Sequence, residues 1–151
     1  MLVPEAIVEE LEEALRRAGA REVGGVLMGE HVGPETFRVK RITVQMKGGT
    51  FAAFVRLVGE VVGPLREFFK ATNHDYSRFN YLGEWHSHHS FALTPSDRDR
   101  QTMREILEDP AVGARFVVLL LAKLNHDGTL AHQVTVYQPH QPMMIGTVDH
   151  E

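Results

Sequence analysis

The stretch GEWHSHHSFALTPSDRD, residues 83–99, joins a predicted strand to a predicted helix and carries an unusual set of polar side chains. Side chains two apart in a strand point the same way, so His86 and His88 face one side. Two imidazoles at the end of a strand can hold one metal ion if a third ligand comes from elsewhere. Asp97 or Asp99 can supply it, because both lie in the first turns of the next helix, where the dipole favours a carboxylate. Histidine pairs are also common on surfaces, so the spacing alone leaves a metal site and a solvent-exposed pair both open.

A catalytic site needs further groups beside the metal ligands. Two nitrogens and one carboxylate oxygen leave a fourth tetrahedral position for water, as in catalytic zinc sites. A general base must then take up a proton, and Glu22, Glu30 and Glu84 are the candidates that the sequence offers. Glu84 shares the facing of the two histidines and would crowd the metal if its side chain pointed inward. Ser96 lies at a helix start, where its hydroxyl can donate to a developing oxyanion or simply hydrogen-bond the first turn.

The patterns on either side of this stretch alternate between helix and strand. Such an order predicts one mixed sheet with helices packed against it, an α/β domain. The predicted helices are 4–18, about 60–72 and 94–109; the predicted strands are 22–30, 36–46, 79–88, 114–124 and 130–138.

Several local details follow from the same patterns. The apolar side chains of 36–46 change parity midway, which predicts a β-bulge near Lys40–Arg41. Residues 50–58 fit either a strand or an irregular segment. Pro64 is expected in the first turn of its helix or at a restart, because an interior proline costs roughly 3 kcal/mol. Thr94, with Asp97 three positions later, predicts a capping box at the start of the last helix.

Composition restricts the class of protein. A chain of 151 residues fits a single domain, predicted at 1–138, followed by a polar, loosely held tail at 139–151. There are no cysteines, so disulfides and thiol chemistry are excluded, and a reducing, cytoplasmic location is expected. The net charge of −4 and the lack of a basic stripe argue against nucleic acid as a partner. The acidic N-terminal segment is unlike a signal peptide, and the apolar run 116–122 is too short to span a membrane.

Two separate motifs together resemble a known family. Residues 22–29 read EVGGVLMG, and residues 86–99 read H-x-H-x(7)-S-x(2)-D. This combination resembles the signature of the JAMM (MPN-plus, JAB-domain) metalloproteases, over roughly residues 5–138. The resemblance implies the MPN/JAB fold, a cytidine-deaminase-like three-layer arrangement. It also implies a zinc-dependent protease that cleaves peptide or isopeptide bonds at the C-terminus of a ubiquitin-like protein, and the compact chain is similar to prokaryotic members.

The resemblance assigns roles to particular residues. His86, His88 and Asp99 would bind one Zn²⁺ per chain. Glu22 would be the general acid and base, and Ser96 would hydrogen-bond the catalytic water or the oxyanion. Asp97 is then left as a helix cap, Glu84 has no catalytic role, and Trp85 is expected to pack in the core.

One position departs from the family pattern. The family usually has proline after the second histidine, and this chain has His89. His89 adds a hydrogen-bond donor, and it is a candidate for supporting the site from behind or for contacting the substrate. The predicted partners are a ubiquitin-like protein or its conjugates, with no membrane. A non-catalytic MPN-type scaffold and a zinc hydrolase of small amide conjugates are the alternatives.

Overall fold

The computed structural model describes residues 1–45, 58–89 and 92–151, with only the backbone of residues 58–61. Within these ranges the chain forms three helices and eight strands. The helices are α1 (Glu5–Ala18), α2 (Val58–Ala71) and α3 (Asp97–Glu108). The strands are β1 (Leu2–Val3), β2 (Gly24–Gly33), β3 (Thr36–Ile42), β4 (Phe79–Ser87), β5 (Val117–Leu124), β6 (Leu130–Tyr137), β7 (Met144–Gly146) and β8 (Asp149–His150).

All eight strands belong to one mixed sheet. Its order is β7-β6-β5-β4-β2-β3-β1-β8. β4 runs parallel to β5 and antiparallel to β2, so the strand that carries the two histidines is paired on both sides. The predicted α/β class, a mixed sheet flanked by helices, is confirmed.

The sheet curls so strongly that its two edges approach each other. β7 and β8 end the strand order at opposite edges, yet only residues 147–148 separate them along the chain. Such a short connection spans at most about 10 Å. The Nε2 atoms of His132 on β6 and His150 on β8 are accordingly 2.7 Å apart.

The curled sheet separates two apolar layers. On its inner face α1 packs Leu11 and Leu15 into a core shared with Trp85 of β4. On its outer face, α2 covers β2 and β4, while α3 packs Met103 and Ile106 against β5 and β6. Burying each large apolar side chain contributes about 1.5–3 kcal/mol, so both layers stabilise the sheet. The predicted three-layer arrangement is confirmed.

The predicted bulge is present in β3. Met28 of β2 pairs with Arg41 and Gly29 pairs with Val39, so Lys40 has no residue opposite it. The extra residue reverses the side-chain parity, and for that reason Val39 and Ile42 are both buried although they are three positions apart.

The expected position of Pro64 is wrong, because it is the seventh residue of α2, well inside the helix. A residue before proline normally leaves the helical region because its Cβ collides with the proline ring. Gly63 has no Cβ, so the helix continues through this point. Residues 50–57 of the ambiguous segment lie outside the described residues.

The predicted cap of the last helix is also wrong. Ser96, not Thr94, is the N-cap of α3, and the reciprocal partner at the third helical position is Asp99, not Asp97. Both pairs have capping-box spacing, so local sequence cannot separate them. The packing of Asp99 against β4 selects the second pair.

The expectation of a loosely held tail is wrong too. β7 pairs with β6, β8 pairs with β1, and Arg38 Nε donates to Glu151 Oε2 at 2.7 Å. Edge strands present unpaired backbone donors and acceptors, so a segment can join them whatever its side chains are. None of the helices in the described part of the chain is long and apolar enough to cross a membrane.

Candidate metal centre

Three of the predicted ligands come together at the end of β4. One ligand atom from each of His86, His88 and Asp99 lies within 4.8 Å of the other two. His86 Nε2 is 3.4 Å from Asp99 Oδ1. Two ligands about 2.0 Å from a tetrahedral zinc ion are about 3.3 Å apart, so this pair has the spacing that the ion requires. The donor set and its geometry fit a metal ion.

A backbone contact fixes the ring of His88. Its Nδ1 lies 2.7 Å from the carbonyl oxygen of Ala92. A carbonyl oxygen only accepts, so Nδ1 carries the proton and the lone pair is on Nε2. A metal-binding histidine needs this orientation, with one nitrogen donating to the protein and the other directed at the ion.

His86 is held in the neutral form that binds a metal. Burial lowers its pKa to about 4; the nearby Asp99 carboxylate raises the pKa and His88 lowers it further. Around neutral pH protons therefore compete weakly for its nitrogens.

Asp99 divides its two carboxylate oxygens between two tasks. Oδ1 faces His86, while Oδ2 accepts hydrogen bonds from the backbone N–H and the hydroxyl of Ser96, both at 2.7 Å. The capping box therefore holds the carboxylate in the orientation that a metal ligand needs. Asp97 is fully exposed and pairs only with Arg100 among the described residues, which removes it as a ligand.

The Ser96 hydroxyl bonds Asp99, whereas the family resemblance implied a bond to the catalytic water or the oxyanion. The hydroxyl has a single proton, and that proton is donated to Asp99. In this arrangement the side chain orients a metal ligand, and a role toward an oxyanion would require the hydroxyl to turn away. The oxyanion role remains a prediction.

Glu22 lies beside the metal group without belonging to it. Gly24 pairs with His86 in antiparallel register, and Ser87 N donates to Val23 O at 2.8 Å. Continuing this register by two residues sets Glu22 opposite His88, on the same face of the sheet. Its side chain is exposed, and its carboxylate is not part of the three-ligand group. An accessible carboxylate next to a metal site is suited to proton transfer.

The other two candidate bases have different surroundings. Glu30 is buried at the far half of β2, where Arg78 Nε donates to its Oε1 at 2.8 Å, and hydrogen bonding to Arg78 lowers its pKa. Glu84 is 1% exposed, and burial raises its pKa well above the usual value, although its hydrogen bond with Tyr81 opposes the shift. A carboxyl that stays protonated cannot take up a proton, which excludes Glu84. Glu30 is excluded for a different reason: it is ion-paired with Arg78 and lies opposite Phe79, at the end of the β2–β4 ladder away from His86.

The raised pKa of Glu84 has a consequence for stability. The folded state binds its proton more tightly than the unfolded state, so the free energy of unfolding falls as pH rises above about 4.5, toward the raised folded value. Glu84→Gln keeps a neutral side chain of the same shape. We expect this variant to lose that pH dependence and to have the higher free energy of unfolding at about pH 8. Chemical denaturation of both proteins between about pH 5 and pH 9 would measure the difference, and parallel curves would contradict it.

Three residues on the strands next to the site, Gly25, Trp85 and Ser87, make contacts that hold β2, β4 and the segment after β3 together. Trp85 is buried, as predicted, and its indole N–H donates to the Thr43 carbonyl at 2.8 Å. A Cβ on Gly25 would lie 1.7 Å from that same carbonyl oxygen, so only glycine fits there. Ser87, between the two histidines, has its hydroxyl on the opposite face, 3.0 Å from Val23 N. In the sequence, the only indication of this contact was a small polar residue placed between the two histidines.

The fold and the site define a class of protein, an α/β domain with a curled mixed sheet and a His-His-Asp group at the end of a central strand. A model of the prokaryotic homologs of the JAB domain matches residues 4–137, and the chain belongs to this family.

Two solved structures share the fold. A protein from Desulfitobacterium hafniense is 18% identical, with a TM-score of 0.68, covering 100% of this chain and 93% of the other. A protein from Salinibacter ruber is 14% identical, with a TM-score of 0.56, covering 100% and 92%. No curated protein matches the chain.

Proposed function

We propose that this chain is a zinc-dependent protease that cleaves a peptide or isopeptide bond at the C-terminus of a ubiquitin-like protein. The observation that carries the proposal is the group formed by His86, His88 and Asp99, whose ligand atoms lie within 4.8 Å of one another. Two histidine nitrogens and one carboxylate oxygen leave a fourth tetrahedral position for water, which favours a catalytic over a closed structural site.

Each residue has a chemical task in this proposal. A bound zinc ion would act as a Lewis acid and lower the pKa of water. His86, His88 and Asp99 hold the ion, and Ser96 keeps Asp99 in place. Glu22 takes up a proton from the attacking water at its carboxylate and passes it to the leaving amine.

The substrate class rests on the family. JAB-domain proteases act on the C-terminal tails of ubiquitin-like proteins, and this chain belongs to the prokaryotic branch. His86 and Asp99 are largely covered, with 12% and 10% of their side chains exposed, so only the substrate's scissile end can reach them. β4 is paired on both sides, so a substrate tail reaches the site from beyond the strand end and does not add to β4 itself.

The test combines metal content with cleavage. We expect purified protein to hold about one zinc ion per chain by elemental analysis, and to release a reporter fused to the tail of a ubiquitin-like protein. A chelator should abolish cleavage and added zinc should restore it. A small aminoacyl amide, assayed in parallel, separates the tail protease from a hydrolase of small conjugates.

Two outcomes would count against the proposal. Protein that retains no zinc, or zinc-loaded protein that leaves both substrates intact, would contradict the proposed activity. His86→Ala is the matched control, because it removes one ligand and should abolish both zinc retention and cleavage.

A further inference from the structure

The backbone around Glu22 is attached to the histidine strand on both sides. The hydroxyl of Ser87 accepts a hydrogen bond from Val23 N at 3.0 Å. On the other side, Nε2 of His89 lies 2.5 Å from the carbonyl oxygen of Arg21. The residues directly before and after Glu22 are thus each bonded by a side chain from β4 or the residues that follow it.

These contacts extend the sheet where its regular ladder ends. The pairing of β2 with β4 runs from Glu30 opposite Phe79 down to Gly24 opposite His86. Residues 21–23 lie between that point and the turn after α1, outside the strand. One backbone bond, from Ser87 N to Val23 O at 2.8 Å, continues the pairing past Gly24, and the two side-chain bonds add to it on either side of Glu22.

The hydrogen bond to Arg21 also determines which ring nitrogen of His89 carries a proton. A carbonyl oxygen is only an acceptor, so Nε2 of His89 must carry a proton and donate it to Arg21. The family pattern has proline at this position, which stiffens the chain but has no donor. In this chain a cross-strand hydrogen bond takes the place of the stiff ring.

We propose that Ser87 and His89 are positioning residues that clamp the segment carrying Glu22 opposite His88. The inference rests on the proposed function only for the role of Glu22. The clamp itself is a property of the folded chain. A displacement of about 1 Å in a catalytic group can cost about 100-fold in rate, so two bonds flanking one carboxylate can matter.

The kinetic test uses His89→Ala, with His89→Gln as the conservative variant and His31→Ala as the control. A glutamine carboxamide can still donate to the Arg21 carbonyl, while exposed His31 lies at the other end of β2. We expect His89→Ala and Ser87→Ala each to lower kcat about 10- to 100-fold, with KM and zinc content unchanged. His89→Gln should recover most of the loss, and His31→Ala should match the unmodified protein.

A double variant shows whether the effect passes through Glu22. In single-turnover assays with excess enzyme, His89→Ala should cause little further loss once Glu22→Gln is present. Additive losses, unchanged kcat in His89→Ala, or reduced zinc content would overturn the proposal.

A second measurement needs no activity. In metal-free protein, hydrogen exchange at the Val23 amide should accelerate in Ser87→Ala, and nitrogen NMR of His89 should show the proton on Nε2. His89→Ala should increase the backbone mobility of Glu22. If the protein cleaves no substrate, these results still decide on the clamp, and unchanged exchange and mobility would overturn it.

Discussion

Replacing Glu22 with glutamine is expected to lower the rate of cleavage about 10²- to 10⁴-fold while zinc binding stays intact. Glutamine has the shape of glutamate but cannot take up or return a proton at pH 7. The proposed zinc ligands are His86, His88 and Asp99, and the Glu22 carboxylate is not part of that group, so metal content should not change. Single-turnover cleavage and elemental analysis of the same preparation measure both quantities.

Two other substitutions serve as controls for this result. Glu84→Gln changes a buried carboxyl on the same sheet face, and Glu13→Gln changes an exposed one on α1. Both should cleave within about twofold of the unmodified protein, because surface and already neutral carboxyls take no part in the proton transfer. Full activity in Glu22→Gln would remove Glu22 from the mechanism, and activity lost with Glu84→Gln would assign the proton to the buried carboxyl.

The second large effect is expected from Asp99→Asn. The substitution keeps the size of the side chain but removes the charge that faces His86 and offers one oxygen where there were two. In the unsubstituted protein Asp99 Oδ2 accepts two hydrogen bonds from Ser96 while Oδ1 faces His86. A carboxamide has only one oxygen, so it cannot both accept from Ser96 and present an oxygen to the metal. We expect zinc affinity to fall at least about 100-fold, and cleavage to fall with it at limiting zinc. Competition with a chromophoric chelator measures the affinity.

Asp97→Asn is the matched control, two residues earlier in the same helical turn. Its carboxylate is fully exposed and pairs with Arg100 at 2.9 Å. Losing this pair should change stability by less than about 1 kcal/mol and leave zinc affinity within about twofold. Equal losses of affinity in the two variants would mean that the helix dipole, not a ligand, accounts for the effect.

Much of the fold could be predicted from short-range pattern. The alternation in β4 gives His86 and His88 one facing, because a strand repeats every two residues. The change of parity in β3 predicted the bulge that leaves Lys40 without an opposing residue. Local pattern failed where two choices were locally equal, as with the capping pairs beginning at Thr94 and Ser96. It also failed for the tail, whose pairing depends on edges formed by residues far away in the chain.

The candidate site, too, was predicted in part from the sequence. Its chemical groups were present in the sequence: two histidines on one face, a carboxylate near a helix start, and a glutamate before a glycine-containing strand. Their resemblance to a family motif selected Asp99 and Glu22 from several candidates.

Only the tertiary structure decided how these groups meet. The antiparallel register of β2 and β4 ends with Gly24 opposite His86, and its continuation by two residues sets Glu22 opposite His88, far away in the chain. The packing of α3 against the sheet turns Asp99 toward His86. Nε2 of His89 lies 2.5 Å from the carbonyl oxygen of Arg21, a contact between residues 68 positions apart. Each of these depends on strand pairing and helix packing between distant segments, and local periodicity has no information about which segments pair.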